Sequence, residues 1–148
     1  MFKIIMVGVD GSKYSEEALQ TAIAMAKSFG SKLVIATVYA EQHYLGLMRK
    51  YSPELPLEVE KNLNVMLVKY KEQATAAGLN DVDTKIFSVI SNLMSVGTGL
   101  VIEAEKMGCS MIIVGTRGWT GIKRTLLGSV ADYVVRNAHC DVHVVRQQ

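Results

Sequence analysis

Residues 3–12 read KIIMVGVDGS. From Lys3 to Val9 the run is apolar almost throughout, and it breaks at Asp10-Gly11-Ser12. A run with apolar residues on both faces fits a strand covered on both sides, the kind that parallel sheets contain. A polar Asp-Gly-Ser break then suits a turn into a helix. This single stretch therefore points to a βα unit at the start of an α/β domain.

Reading outward, the alternation continues. Ala18, Leu19, Ala22, Ile23 and Ala26 recur at helical spacing, which predicts a helix over about 15–28. Ser12 or Ser15 can cap its start and Gly30 its end. Residues 32–40 form a second strand rich in Val and Ile. Residues 41–56 are a connector holding both prolines, Pro53 and Pro56, and Pro56 suits the first turn of the next helix. That helix is expected over 57–77, with Val59, Leu63, Met66, Leu67, Tyr70, Ala74 and Ala77 as its buried stripe and Gly78 at its end.

A third strand is expected over 83–90 and a weaker helix over 98–107. Gly97 and Gly99 blur that helix's start, and Gly108 closes it. A fourth strand follows over 110–115. A short helix is expected over 129–138, with Ser129 as cap and Asp132 three residues on, in the pattern of a capping box. The last strand is expected over 142–146. Five strands alternating with four helices predict a three-layer α/β/α sandwich around a five-stranded parallel sheet, one domain over residues 1–148. Such sheets bind ligands beyond the carboxyl ends of their strands, where the strand order reverses. The loops after Asp10 and after Gly115 are the two candidates.

Bulk properties narrow the function. The chain has 148 residues, 49% apolar and 20% charged, which suits one ordinary core and excludes general disorder. A net charge of +2, with Lys and Arg scattered, does not favour nucleic acid. No apolar stretch reaches the roughly 18 residues that a membrane helix needs. Phe2–Val9 has neither a basic leader nor a cleavage site, so it does not read as a signal peptide. Cys109 and Cys140 lie far apart in sequence without a CxxC and read as reduced thiols, which makes the cytoplasm the expected location.

The chemistry concentrates after the fourth strand. Gly115-Thr116-Arg117-Gly118 is followed by nine residues and then by Gly128-Ser129. Glycines let a backbone approach phosphates closely. Gly128-Ser129 opens a helix, whose free N–H groups and positive dipole end favour an anion. Ser129 adds a hydroxyl, and Arg117, Lys123 and Arg124 add positive charge.

With these residues in view, the chain resembles the universal stress protein family, in its ATP-binding branch. That branch carries a glycine, two residues, a glycine, nine residues, then a glycine and Ser or Thr. Gly115, Gly118, Gly128 and Ser129 match throughout. Val7-Gly8-Val9-Asp10-Gly11-Ser12 resembles the family's first-strand signature, and Ser129-Val130-Ala131-Asp132-Tyr133-Val134-Val135 its last-helix signature. The resemblance spans essentially the whole chain and implies the Rossmann-like fold of adenine nucleotide alpha hydrolases.

It further implies that Asp10 contacts the adenosine part of ATP, or of AMP or ADP, and that Gly8, Val9 and Val38 border the adenine. Gly115, Thr116, Arg117, Gly118, Trp119, Thr120 and Gly121 would wrap the ribose and phosphates. Ser129 and the backbone of Val130 and Ala131 would hold the outer phosphates. The resemblance allows Mg2+ between the phosphates, although no carboxylate cage is visible. It also implies a homodimer through the last strand, with Val142, Val144 and Val145 at an exposed edge. Two departures concern loop geometry: Asp141 stands where the family usually has Pro, and residues 91–99 lack the usual Gly-x-Pro before the third helix.

Plainer readings exist for each feature. Asp10 also suits a turn or a helix cap. His139, Cys140 and His143 have ligand-like spacing, but a structural zinc site takes four ligands and the two histidines sit on different elements. Cys109 reads as packing. Gly8-x-x-Gly11-Ser12-Lys13 lacks the Walker spacing, and Ile102 breaks the dinucleotide fingerprint begun at Gly97-x-Gly99. No nucleophile–base order or carboxylate pair emerges. The expectation is a nucleotide-dependent binding module of the stress response, at most a weak ATPase. The alternative is a slow ATPase or nucleotidyl-transferring enzyme of the same fold. A nucleotide-free stress protein is disfavoured by the intact glycine pattern.

Overall fold

The computed structural model describes residues 1–41, 57–90, 95–116 and 127–146. Its order is β1 (Ile4–Gly8), α1 (Lys13–Phe29), β2 (Lys32–Glu41), α2 (Leu57–Ala76), β3 (Val82–Ile90), α3 (Val96–Met107), β4 (Met111–Gly115), α4 (Ser129–Asn137) and β5 (Asp141–Val145). All strand pairs are parallel, in the order β3-β2-β1-β4-β5. The chain winds outward from β1 to β3, then crosses back to β4 on the other side of β1. Right-handed crossovers place helices on opposite faces when the winding direction reverses.

The core divides accordingly. One layer packs Ala18, Leu19, Ala22 and Ile23 of α1 and Leu67, Tyr70 and Ala74 of α2 against Ile5, Val7, Leu33, Ile35 and Ile113. The other packs Leu100, Val101 and Ala104 of α3 and Ala131 and Val134 of α4 against Met6, Val34, Ala36, Ile112 and Val114. Side chains alternate across a strand, so β1 serves both layers: Ile5 and Val7 face one, Met6 the other. That is why β1 reads as an unbroken apolar run. Each fully buried Leu or Ile here contributes roughly 1.5–3 kcal/mol.

Local signals explain most boundaries. Ser12 caps α1, its hydroxyl accepting from the Ser15 N–H, and Gly30 closes the helix in the left-handed conformation at φ 66°. Gly108 closes α3 in the same way at φ 69°. Two expectations need correction. The third helix begins at Val96, not Thr98, because Ser95 caps it by accepting from the Thr98 N–H. Gly97 and Gly99 lie inside it, buried, where an added Cβ would stand 2.9 Å from Tyr133 Cβ and 3.1 Å from Val38 Cγ1. Their low helix propensity is outweighed by close packing.

The capping box at Ser129 is also corrected. Gly128 is the cap residue, with no side-chain cap hydrogen bond, and Ser129 is the first helical residue. Asp132 instead pairs with Arg136 one turn on, at 3.0 Å. Of the connector expected over 41–56, Glu41 ends β2 and the rest lies outside the described residues. Among the described residues, no helix is long and apolar enough to cross a membrane.

Candidate functional site

The switch in strand order falls between β1 and β4, and a cavity of about 210 Å³ opens beyond their carboxyl ends. Gly8, Val9 and Asp10 line it from the end of β1, and Ala36 and Val38 from β2. Val96 and Leu100 of α3 form an apolar wall. Val114 and Gly115 end β4 against it, and Gly128, Ser129, Val130 and Ala131 close it at the start of α4. Ser15 reaches in from α1.

Asp10 is held in a compact turn. The Ser12 N–H donates to its Oδ1 at 2.9 Å, and the Asp10 N–H donates to Ser15 Oγ at 3.1 Å. Ser15 Oγ donates in turn to the Ser12 carbonyl at 3.1 Å. Buried Ser12 and Ser15 thus tie the loop after β1 to the start of α1, with the exposed Asp10 at its tip. The turn role expected of Asp10 is present.

The opposite wall begins at Thr116. Its N–H donates to the Val145 carbonyl at 3.1 Å, and its own carbonyl accepts from the Gly128 N–H at 2.6 Å. The two ends of the glycine loop are therefore pinned together at the mouth of the cavity. The first N–H groups of a helix have no partner within it, and the cap residue of α4, Gly128, has no side chain to offer them. With a glycine at the cap, backbone donors and the positive end of the dipole face the cavity without a Cβ in the way.

Of the residues proposed from sequence, Gly8, Val9, Asp10, Val38, Gly115, Gly128, Ser129, Val130 and Ala131 line this one cavity. Thr116 stands at its mouth through the bond to Gly128. Arg117, Gly118, Trp119, Thr120 and Gly121 lie outside the described residues, as do Lys123 and Arg124. Sequence reasoning did not assign Ser15, Ala36, Val96, Leu100 or Val114 to the site. The signals were present: Ala36 and Val38 share a strand face, as do Val114 and Ile112, and Val96 and Leu100 are one helical turn apart.

Gly115 has a structural reason of its own. A Cβ there would meet the Tyr14 carbonyl at 2.8 Å, so glycine is needed for α1 to approach β4. His139 lies 3.3 Å from Glu105 across the ends of α3 and α4, and among the described residues no cluster of three His, Cys, Asp or Glu side chains could hold a metal.

Three-layer parallel α/β domains bind ligands, where they do, at a switch-point cavity of this kind. The profile of the Universal stress protein family matches residues 1–146, and the chain belongs to that family. The universal stress protein MJ0531 of Methanocaldococcus jannaschii is 37% identical, over 99% of this chain and 84% of its own. A putative universal stress protein of Staphylococcus epidermidis is 34% identical, over 99% and 86%. Among solved structures, the protein MJ0577 superimposes with a TM-score of 0.84 at 25% identity, covering 100% of this chain and 98% of that one. A universal stress protein in complex with cAMP gives 0.72 at 25% identity over 99% and 98%. One from Archaeoglobus fulgidus in complex with dAMP shares the fold, at 0.68 and 17% identity over 97% of each chain.

Proposed function

We propose that this protein is an ATP-binding regulator of the stress response, a single domain whose interactions change with nucleotide occupancy. The observation that carries the reading is the pairing of two unlike walls in one cavity. Val38, Val96 and Leu100 supply an apolar slot for a base, with Asp10 at the rim for the ribose. The start of α4, with a glycine at its cap, supplies backbone donors for phosphate. Gly115, Gly118, Gly128 and Ser129 give the spacing that joins them. The cAMP and dAMP complexes of similar proteins support an adenine nucleotide as the ligand class.

Mg2+ fits this cavity only through the ligand. It keeps several waters and binds through phosphates and one or two carboxylates, so it needs no protein cage. Rapid hydrolysis is not expected. An efficient ATPase needs a residue that positions water and a firm metal site. The polar side chains described in the lining are Asp10, Ser15 and Ser129, and the first two are engaged in the turn. We place the protein in the cytoplasm, in keeping with its free thiols. We also propose a homodimer through β5, a sheet edge bearing Val142, Val144 and Val145. A monomer alone in light scattering at micromolar concentration would overturn the dimer.

The functional test is direct. Purified protein is denatured and the released nucleotide assayed, then fresh protein is incubated with ATP and Mg2+. Adenine nucleotide in the first assay, or saturable binding in the second, is expected. Turnover faster than roughly one per second would instead favour an enzyme.

A further inference from the structure

Cys109 and Cys140 lie at the opposite end of the sheet from the nucleotide cavity. They are far apart in sequence, and the β4–β5 pairing brings them together. Met111 pairs with Asp141, and the two cysteines lie in the segments that lead into these strands, Cys109 two residues before Met111 and Cys140 one before Asp141. Neighbouring strands lie about 4.8 Å apart, which brings the residues leading into them to a Cα separation of about 6 Å. A disulfide spans that distance. Both side chains belong to the same core layer, and both line a cavity of about 200 Å³ with Val101, Glu105 and His139.

We propose that Cys109 and Cys140 form a reversible redox pair, closing to an intramolecular disulfide when the protein meets a peroxide. The two thiols are unequal in a way that suits the two steps. Cys109 is only 8% exposed, and burial followed by the nearby Cys140 pushes its thiol up to about 11. Cys140 is half-buried; burial and then the Asp141 charge raise its thiol, and a backbone hydrogen bond from Ile112 works in the opposite direction. Cys140 is the more exposed sulfur, so a peroxide reaches it first, and Cys109 behind it is the resolving one.

The Cys140 thiolate attacks a peroxide oxygen: an S–O bond forms, the O–O bond breaks, and the leaving hydroxide takes up the thiol's proton as water. Cys109 sulfur then attacks Cys140 sulfur: the S–S bond forms, the S–O bond breaks, and a second water leaves with the Cys109 proton. Two thiols lose two electrons in total and the peroxide is reduced to two waters. The closed loop contains β4, the whole glycine loop and α4, so oxidation staples the segment that carries the proposed phosphate site.

The test uses hydrogen peroxide on the full chain. Intact mass is expected to fall by two hydrogens, a non-reducing digest to yield one Cys109–Cys140 peptide, and dithiothreitol to reverse both. The melting temperature of the oxidised form is expected to rise by roughly 5–10 °C. In Cys109→Ser, a sulfenic-acid trap is expected to label Cys140, whereas in Cys140→Ser Cys109 stays unlabelled under the same dose. Thiols unchanged under peroxide, oxygen added without a link, or a disulfide only between chains would each overturn the proposal. None of these readouts depends on nucleotide binding.

Discussion

Gly115 and Tyr14 approach so closely that a Cβ on Gly115 would stand 2.8 Å from the Tyr14 carbonyl oxygen. The obstacle is backbone in the first turn of α1, which cannot swing aside as a side-chain tip can. Gly115→Ala is therefore expected to destabilise the fold by about 1–3 kcal/mol. It should also displace the Asp10 turn, which hangs from the same helix start. Urea denaturation measures the first effect, and an unchanged midpoint would contradict the packing.

Gly30 and Gly108 behave differently. Each has open space around a built Cβ, but each adopts a left-handed φ, 66° and 69°. Alanine at either position should cost about 1 kcal/mol from backbone strain alone, and asparagine less. The comparison separates the two uses of glycine in this chain, and thermal melts of the four variants check it.

The sequence made the layered sheet legible because the inner parallel strands are apolar on both faces and the first three helices end at or near glycines, Gly30, Gly78 and Gly108. It misplaced the start of α3 because Gly97 and Gly99 read as helix breakers. Their purpose, contact with Tyr133, Val38 and Val89, appears only when α3 meets α4, β2 and β3. It misread Ser129 as a cap because Ser outranks Gly at that position in isolated helices. Here the Gly128 N–H is drawn back to Thr116, which fixes the glycine at the cap. About a third of the cavity wall went unassigned, mostly because Ala36, Val96, Leu100 and Val114 are apolar residues that carry no motif.

Tyr70 gives a pH signature. It is 2% exposed, and its hydroxyl donates to Glu16 Oε1 at 3.2 Å across α1 and α2. Burial first, and then the Glu16 charge, push the phenol up to about 12. An unfolded tyrosine titrates near 10. The folded form holds the proton more tightly, so this contribution is complete below about pH 10 and is lost as pH rises toward 12. Tyr70→Phe should remove that alkaline loss and cost about 1–2 kcal/mol near neutrality. Equal alkaline slopes in the two proteins would contradict the assignment.

Ser129 offers a test that separates binding from stability. It is exposed at the first position of α4. Aspartate there complements the helix dipole, so Ser129→Asp should leave stability unchanged or raise it by about 0.3–1 kcal/mol. The same charge repels phosphate. Affinity for ATP is expected to fall at least roughly tenfold, about 1.4 kcal/mol, while affinity for adenosine holds. Equal losses for ATP and adenosine would place the phosphates elsewhere.

The proposed function puts an adenine nucleotide in the cavity between Asp10 and the start of α4. Isothermal titration of nucleotide-free protein with ATP and Mg2+ addresses it most directly. One saturable site per chain is expected, competed by AMP and ADP and weakened in Ser129→Asp. The absence of heat and of any thermal shift with millimolar ATP, ADP or AMP would contradict it.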